Sequence, residues 1–239
     1  MTQPRRQLIL GALGAAIVTL LCVAAAARTG AVEDAFDALG RAPAFAVAGV
    51  FGLMVAVSAL RYLRLQLAIP GASPLETFNA AALHASAAAV IPGKLGELVL
   101  PVVVRRLTGS SFLAGAGLLV IFRLLDLAAL LAVVAVAGIL AGGAPVILAP
   151  VAAAALTAPF LLQKLAPLAA GRLDGRLAAI LANISEIVGG LTRARLAAIL
   201  TVTIAVWAAL WWAALAAARG AGLDAPAAVA GLALAAASA

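Results

Sequence analysis

Residues 91–106 read IPGKLGELVLPVVVRR, and how this stretch meets the bilayer decides the fold. Pro92, Gly93, Lys94, Gly96 and Glu97 fall together in a chain that is otherwise almost uniformly apolar. A charged pair on a backbone broken by proline and glycine is costly at membrane depth unless protein or a water-filled cavity shields it, so the stretch is a candidate site. Working outward, Arg123 and Asp126 follow in the run IFRLLDLAALL. At a spacing of three they share one face of a helix, where each compensates the other's desolvation.

Composition sets the class. Hydrophobic residues make up 66% of the 239, charged residues 10%, and mean hydropathy is +1.20. No water-soluble domain could sensibly bury or expose that much apolar surface, so the expectation is an all-α, polytopic transmembrane helical bundle. The single cysteine, Cys22, excludes an internal disulfide and a cysteine-based metal site, and reads as a small packing residue. A net charge of +7 would raise nucleic acid as a partner for a soluble protein, but here the basic residues gather between apolar runs. They read as orientation signals and contacts for anionic lipid head groups, with no nucleic-acid partner expected.

The chain has no polar linker and no internal repeat, so residues 1–239 are expected to form a single membrane domain. Spans are expected at about 8–27, 44–63, 112–140, 146–162, 196–218 and 226–239. The last of these stops short. The remaining apolar segment, 75–104, either crosses once or enters and returns. With a cytoplasmic N-terminus and a re-entrant segment, eleven basic residues lie inside (Arg5, Arg6, Arg61, Arg64, Arg105, Arg106, Lys164, Arg172, Arg176, Arg193 and Arg195) and three outside (Arg28, Arg41 and Arg219). A single crossing gives five inside and nine outside, against the positive-inside rule. The expectation is therefore a re-entrant broken-helix hairpin over 75–104, whose helix termini meet near mid-membrane as in transporter substrate sites. The chain would lie in the cell (inner or plasma) membrane.

Between the fourth and fifth spans, residues 171–191 place Leu173, Leu177, Ile180, Leu181, Ile184, Ile187, Val188 and Leu191 at three/four spacing, with Arg172, Arg176, Asn183, Glu186 and the following Arg193 opposite. This pattern predicts a cytoplasmic amphipathic helix, either lying on the membrane surface or packed beneath the bundle.

The run from His84 to Leu130, with PGKLGELVLP, the Arg105–Arg106 pair, a break at Gly109–Ser110 and then FRLLDLAALL, resembles the membrane region of lysylphosphatidylglycerol synthases and the wider flippase-like family built on it. The family's pattern is close to P-G-R-x-G-E followed by E-R-x-x-D. Lys94 stands where arginine is usual, keeping the charge without the planar fork, and Phe122 stands where glutamate is frequent, leaving Arg123 only Asp126 as an evident local partner. A second signature, close to G-G-x-G-x-R-E, would be expected about where residue 239 stands, so the chain reads as truncated or as a shortened member. The resemblance implies movement of lipids or lipid-linked molecules. The soluble domain that carries aminoacyl transfer in the synthases has no counterpart in these residues, so transferase activity of that kind is not implied.

Lys94, Glu97, Arg123 and Asp126 are thus the candidates for substrate binding or coupling, and Pro92, Gly93 and Gly96 for the backbone break. Lys94 and Glu97 also read as a local salt bridge, and Arg123 and Asp126 as a structural clamp. His84, Arg105 and Arg106 are candidate head-group contacts; equally, His84 reads as an interhelical contact or proton relay, and the arginine pair as a topology signal. Trp207, Trp211 and Trp212 read as packing or interfacial anchors. His84 has no ligand partner at metal-binding spacing, so neither a metal nor a cofactor is expected. The chain has no phosphate-binding glycine loop and no HExxH. The leading expectation is a translocase or binder of a lipid or lipid-linked molecule, without enzyme activity of its own. A non-catalytic accessory subunit of a lipid, hopanoid or glycan biosynthetic complex is the alternative, and a membrane-embedded transferase using Glu97 and Asp126 the third.

Overall fold

A computed structural model describes residues 28, 30, 33, 37, 40–91, 95–140, 144–172, 175, 182, 185–187, 189–220 and 222. Among them every regular element is helical: α1 (Ala44–Ala68), α2 (Pro74–Val90), a 3₁₀ turn (Leu95–Leu98), α3 (Val99–Thr108), α4 (Phe112–Leu140), α5 (Pro145–Ala170) and α6 (Arg193–Gly220). Four of these, over Ala44–Ala68, Phe112–Ile139, Val146–Leu165 and Arg193–Gly220, are long and apolar enough to cross a membrane. The chain is an all-α membrane protein. Its outer surface agrees, since Phe45, Phe51 and Val146 are 79%, 71% and 84% exposed, a disposition suited to hydrocarbon rather than water. The expected spans 8–27 and 226–239 lie outside the described residues, as does Cys22.

Helix α1 packs chiefly on α6, and Gly220 at the end of α6 lies against Ala42 and Ala46, so the two run antiparallel. Helices α4 and α5 form a second pair, with Leu148 of α5 over Gly138 of α4. Pro145 opens α5, where a missing N–H costs nothing, whereas Pro150, Pro159 and Pro167 lie inside it, each removing one backbone hydrogen bond. Helix α4 also packs on α6 and α3, which joins the two pairs.

The short elements sit against this frame. The Nε2 of Gln66 donates to the carbonyl of Ala72, tying down the turn after α1. Ser73 then caps α2: its Oγ accepts from the Glu76 backbone N–H and donates to the Glu76 carboxylate, with Pro74 at the first helical position. Helices α2 and α3 pack on one another around the 3₁₀ turn. Gly96 is buried against the backbone of Ala87 and Ala88, and Gly115 of α4 is buried against that of Pro101, two close approaches that only glycine permits. Gly109, at φ +67°, ends α3 in the left-handed conformation, at the predicted Gly-Ser break.

Leu100, Leu125, Leu196 and Ile199 form the centre of the apolar core, joined by Leu191 and, partly buried, Ile187. These last two come from the expected amphipathic segment, most of which lies outside the described residues. The Nε2 of Gln163 fastens that end by donating to the Leu191 carbonyl at 2.8 Å.

Candidate functional site

Asp126 lies 14 residues along α4 and Trp207 14 residues along α6, so each is about 21 Å from the start of its helix and near the middle of its span. Arg64, four residues from the end of α1, reaches the same point, because helical side chains lean toward the N-terminus. Its Nη1 donates to Asp126 Oδ1 at 2.5 Å, and the Trp207 Nε1–H donates to the same oxygen at 3.3 Å. The Arg64 guanidinium also lies over the Phe122 ring, 4.5 Å from its centroid. Arg64 is only 9% exposed, so its charge depends on these contacts.

A second pair stands beside the first. Arg123 grips Glu97 with a two-pronged contact: Nε donates to Oε2 at 2.8 Å and Nη2 meets Oε1. Its Nη1 lies 3.5 Å from Asp126 Oδ2. Glu97, Arg123, Asp126 and Arg64 therefore alternate in sign across the 3₁₀ turn, α4 and α1, with α6 contributing the indole. Asp126 is the local partner of Arg123, and the 3₁₀ turn adds a closer carboxylate from 26 residues upstream.

These groups line a cavity of about 390 Å³ together with Arg61, His84, Leu100, Phe122 and Leu210. The volume is that of a small-molecule pocket. The Nδ1 of His84 and the Nε of Arg64 are buried there without a hydrogen-bond partner among the described residues. Guanidiniums and an indole supply donors and two carboxylates supply acceptors. Together with the His84 ring these groups make the described lining a polar, hydrogen-bonding surface within an apolar bundle.

Of the sequence candidates, Glu97, Arg123, Asp126 and His84 come together in this cavity, with Gly96 seating the 3₁₀ turn. Pro92, Gly93 and Lys94 lie outside the described residues. Arg105 and Arg106 are exposed in the last turn of α3 and do not line the cavity. Nothing in the sequence assigns Arg61, Arg64 and Trp207 to the site: the two arginines mark the expected cytoplasmic end of a span, and Trp207 reads as a packing residue or interfacial anchor. The available signal was a pair of arginines three apart inside an uninterrupted apolar helix, where a charge marks function by default.

A wholly apolar cleft of about 230 Å³ lies between α4, α5 and α6, lined by Ile121, Leu125, Ala128, Pro159 and others. At 100° per residue these α4 positions face away from Phe122 and Asp126. Among family models, curated proteins and solved structures, none matches this chain.

Proposed function

We propose that this chain binds and translocates a lipid or lipid-linked molecule, sheltering its polar head group in the Arg64–Asp126–Arg123–Glu97 cavity. The observation that carries this reading is a charged cavity of about 390 Å³ inside an apolar helical bundle. Intramembrane charge at such cost is ordinarily tied to a substrate or ion path. The resemblance of residues 84–130 to the flippase-like family supports the same reading. In this arrangement α2, the 3₁₀ turn and α3 form a re-entrant hairpin entering from the cytoplasmic side, with the N-terminus cytoplasmic in the cell membrane. Helix α3, at 10 residues, is too short to cross alone, and α2, at 17, is at the lower limit of a spanning helix. The chain acts as a transporter rather than an enzyme, with membrane lipids as its partners.

Glu97 fixes the hairpin to Arg123, so it is the residue whose charge matters most for the cavity's shape and polarity. Reconstituted into liposomes with a head-group-labelled phospholipid, Glu97→Gln is expected to translocate roughly tenfold or more slowly than the wild type while eluting as the same monodisperse species. An unchanged rate would remove Glu97 from the transport path.

A further inference from the structure

The described lining of the cavity carries more positive than negative charge. Among the described lining residues Arg61, Arg64 and Arg123 face Glu97 and Asp126, three guanidiniums to two carboxylates. Both carboxylates are engaged, Glu97 by Arg123 and Asp126 by Arg64, Arg123 and Trp207. Arg61, one turn before Arg64 on the same face of α1, has no ion-pair or hydrogen-bond partner among the described residues, although it lines the cavity. Across from it, His84 of α2 has a buried Nδ1 that is likewise unpartnered. A spare cation beside buried, unpaired nitrogens is an incomplete arrangement in a low-dielectric setting, and an anion with several acceptor oxygens completes it.

We propose that Arg61 and His84 seat a phosphate group in this cavity. A phosphate oxyanion matches the guanidinium fork, and its tetrahedral oxygens can accept from α1 and α2 at once, whereas a planar carboxylate is spent on a single fork. The same chemistry is offered by a lipid phosphodiester and by free inorganic phosphate. Assignment to a lipid rests on the translocation reading; the anion site itself does not.

The protein, purified in dodecyl maltoside and phosphate-free buffer, is titrated by calorimetry with dihexanoylphosphatidylglycerol, with inorganic phosphate and with phosphate-free dihexanoylglycerol. The wild type is expected to bind a phosphate-bearing titrant, and Arg61→Gln to weaken that binding about 10- to 100-fold. Arg61→Lys should fall between the two, because it keeps the charge but loses the fork. His84→Ala, on a different helix, should weaken binding as well, while affinity for dihexanoylglycerol stays the same in all variants. Binding of the phospholipid alone identifies a lipid head group, and equal Arg61 dependence for inorganic phosphate identifies free phosphate. The proposal is overturned if the wild type binds neither phosphate-bearing titrant, or if either Arg61→Gln or His84→Ala binds as the wild type does. Arg61-dependent binding without lipid movement in proteoliposomes would retain the anion site and end the translocase reading. Translocation with Arg61-independent binding would do the reverse.

Discussion

Asp126→Ala is expected to cost about 3–5 kcal/mol of stability, because it leaves a buried arginine charge without its carboxylate. Arg64 donates to Asp126 Oδ1, Trp207 donates to the same oxygen, and Arg123 lies 3.5 Å from the other one. Removing that single side chain therefore unpairs groups on α1 and α6 together and leaves Arg123 of α4 with Glu97 alone. The loss should be seen as a lower midpoint of unfolding in mixed micelles and a smaller monodisperse fraction after extraction. The double replacement Arg64→Met/Asp126→Leu should recover most of the stability, since apolar side chains of similar volume replace a buried ion pair at little cost. A single Asp126→Ala variant as stable as the wild type would show that the pair is solvated and carries no such penalty.

Gly96→Ala should have the second-largest effect, about 3 kcal/mol, for a steric reason. An added Cβ would sit 2.7 Å from the backbone nitrogen of Ala88 and closer still to the Ala87 carbonyl. Backbone cannot rotate aside as a flexible side chain does, so the 3₁₀ turn must lift away from α2. Glu97 is the next residue and would move with it, off the Arg123 guanidinium. Stability and head-group binding should thus fall together. Gly52→Ala provides the contrast, since a Cβ there meets nothing within 4 Å and α1 is helical around it. That variant should gain up to about 1 kcal/mol. If Gly96→Ala behaved like Gly52→Ala, the turn would not be pinned where it is described.

What could be read in advance followed from local pattern. The apolar run 112–140 matches α4 at both ends. Helix α1 instead continues to Ala68, past the boundary expected near 63, because Arg64 finds its compensation in a partner 62 residues away and the polar step does not end the helix. Likewise α5 passes 162 and runs to Ala170, with Gln163 spending its amide on the Leu191 carbonyl rather than marking an exit from the bundle. The Arg123–Asp126 relation was legible because a three-residue spacing fixes a shared helix face. The Glu97–Arg123 and Arg64–Asp126 pairs were not, since no periodicity relates residues on separate helices. Trp207 stayed hidden for the same reason: its role depends on which neighbour α6 turns toward.

The long sequence separation of the Arg64–Asp126 pair has a consequence for how the chain is made. Asp126 leaves the ribosome 62 residues after Arg64, and Trp207 follows 81 residues later again. At about 5–20 residues per second, the nascent α1 waits ~3–12 s with an uncompensated cation in its last turns. During that interval its apolar stretch from Ala44 to Leu60 favours the bilayer while the arginine does not. Arrival of α4 neutralises the arginine and seats the earlier helix at its final depth. Biogenesis of this bundle therefore proceeds backward at one point, with a later segment completing the insertion of an earlier one.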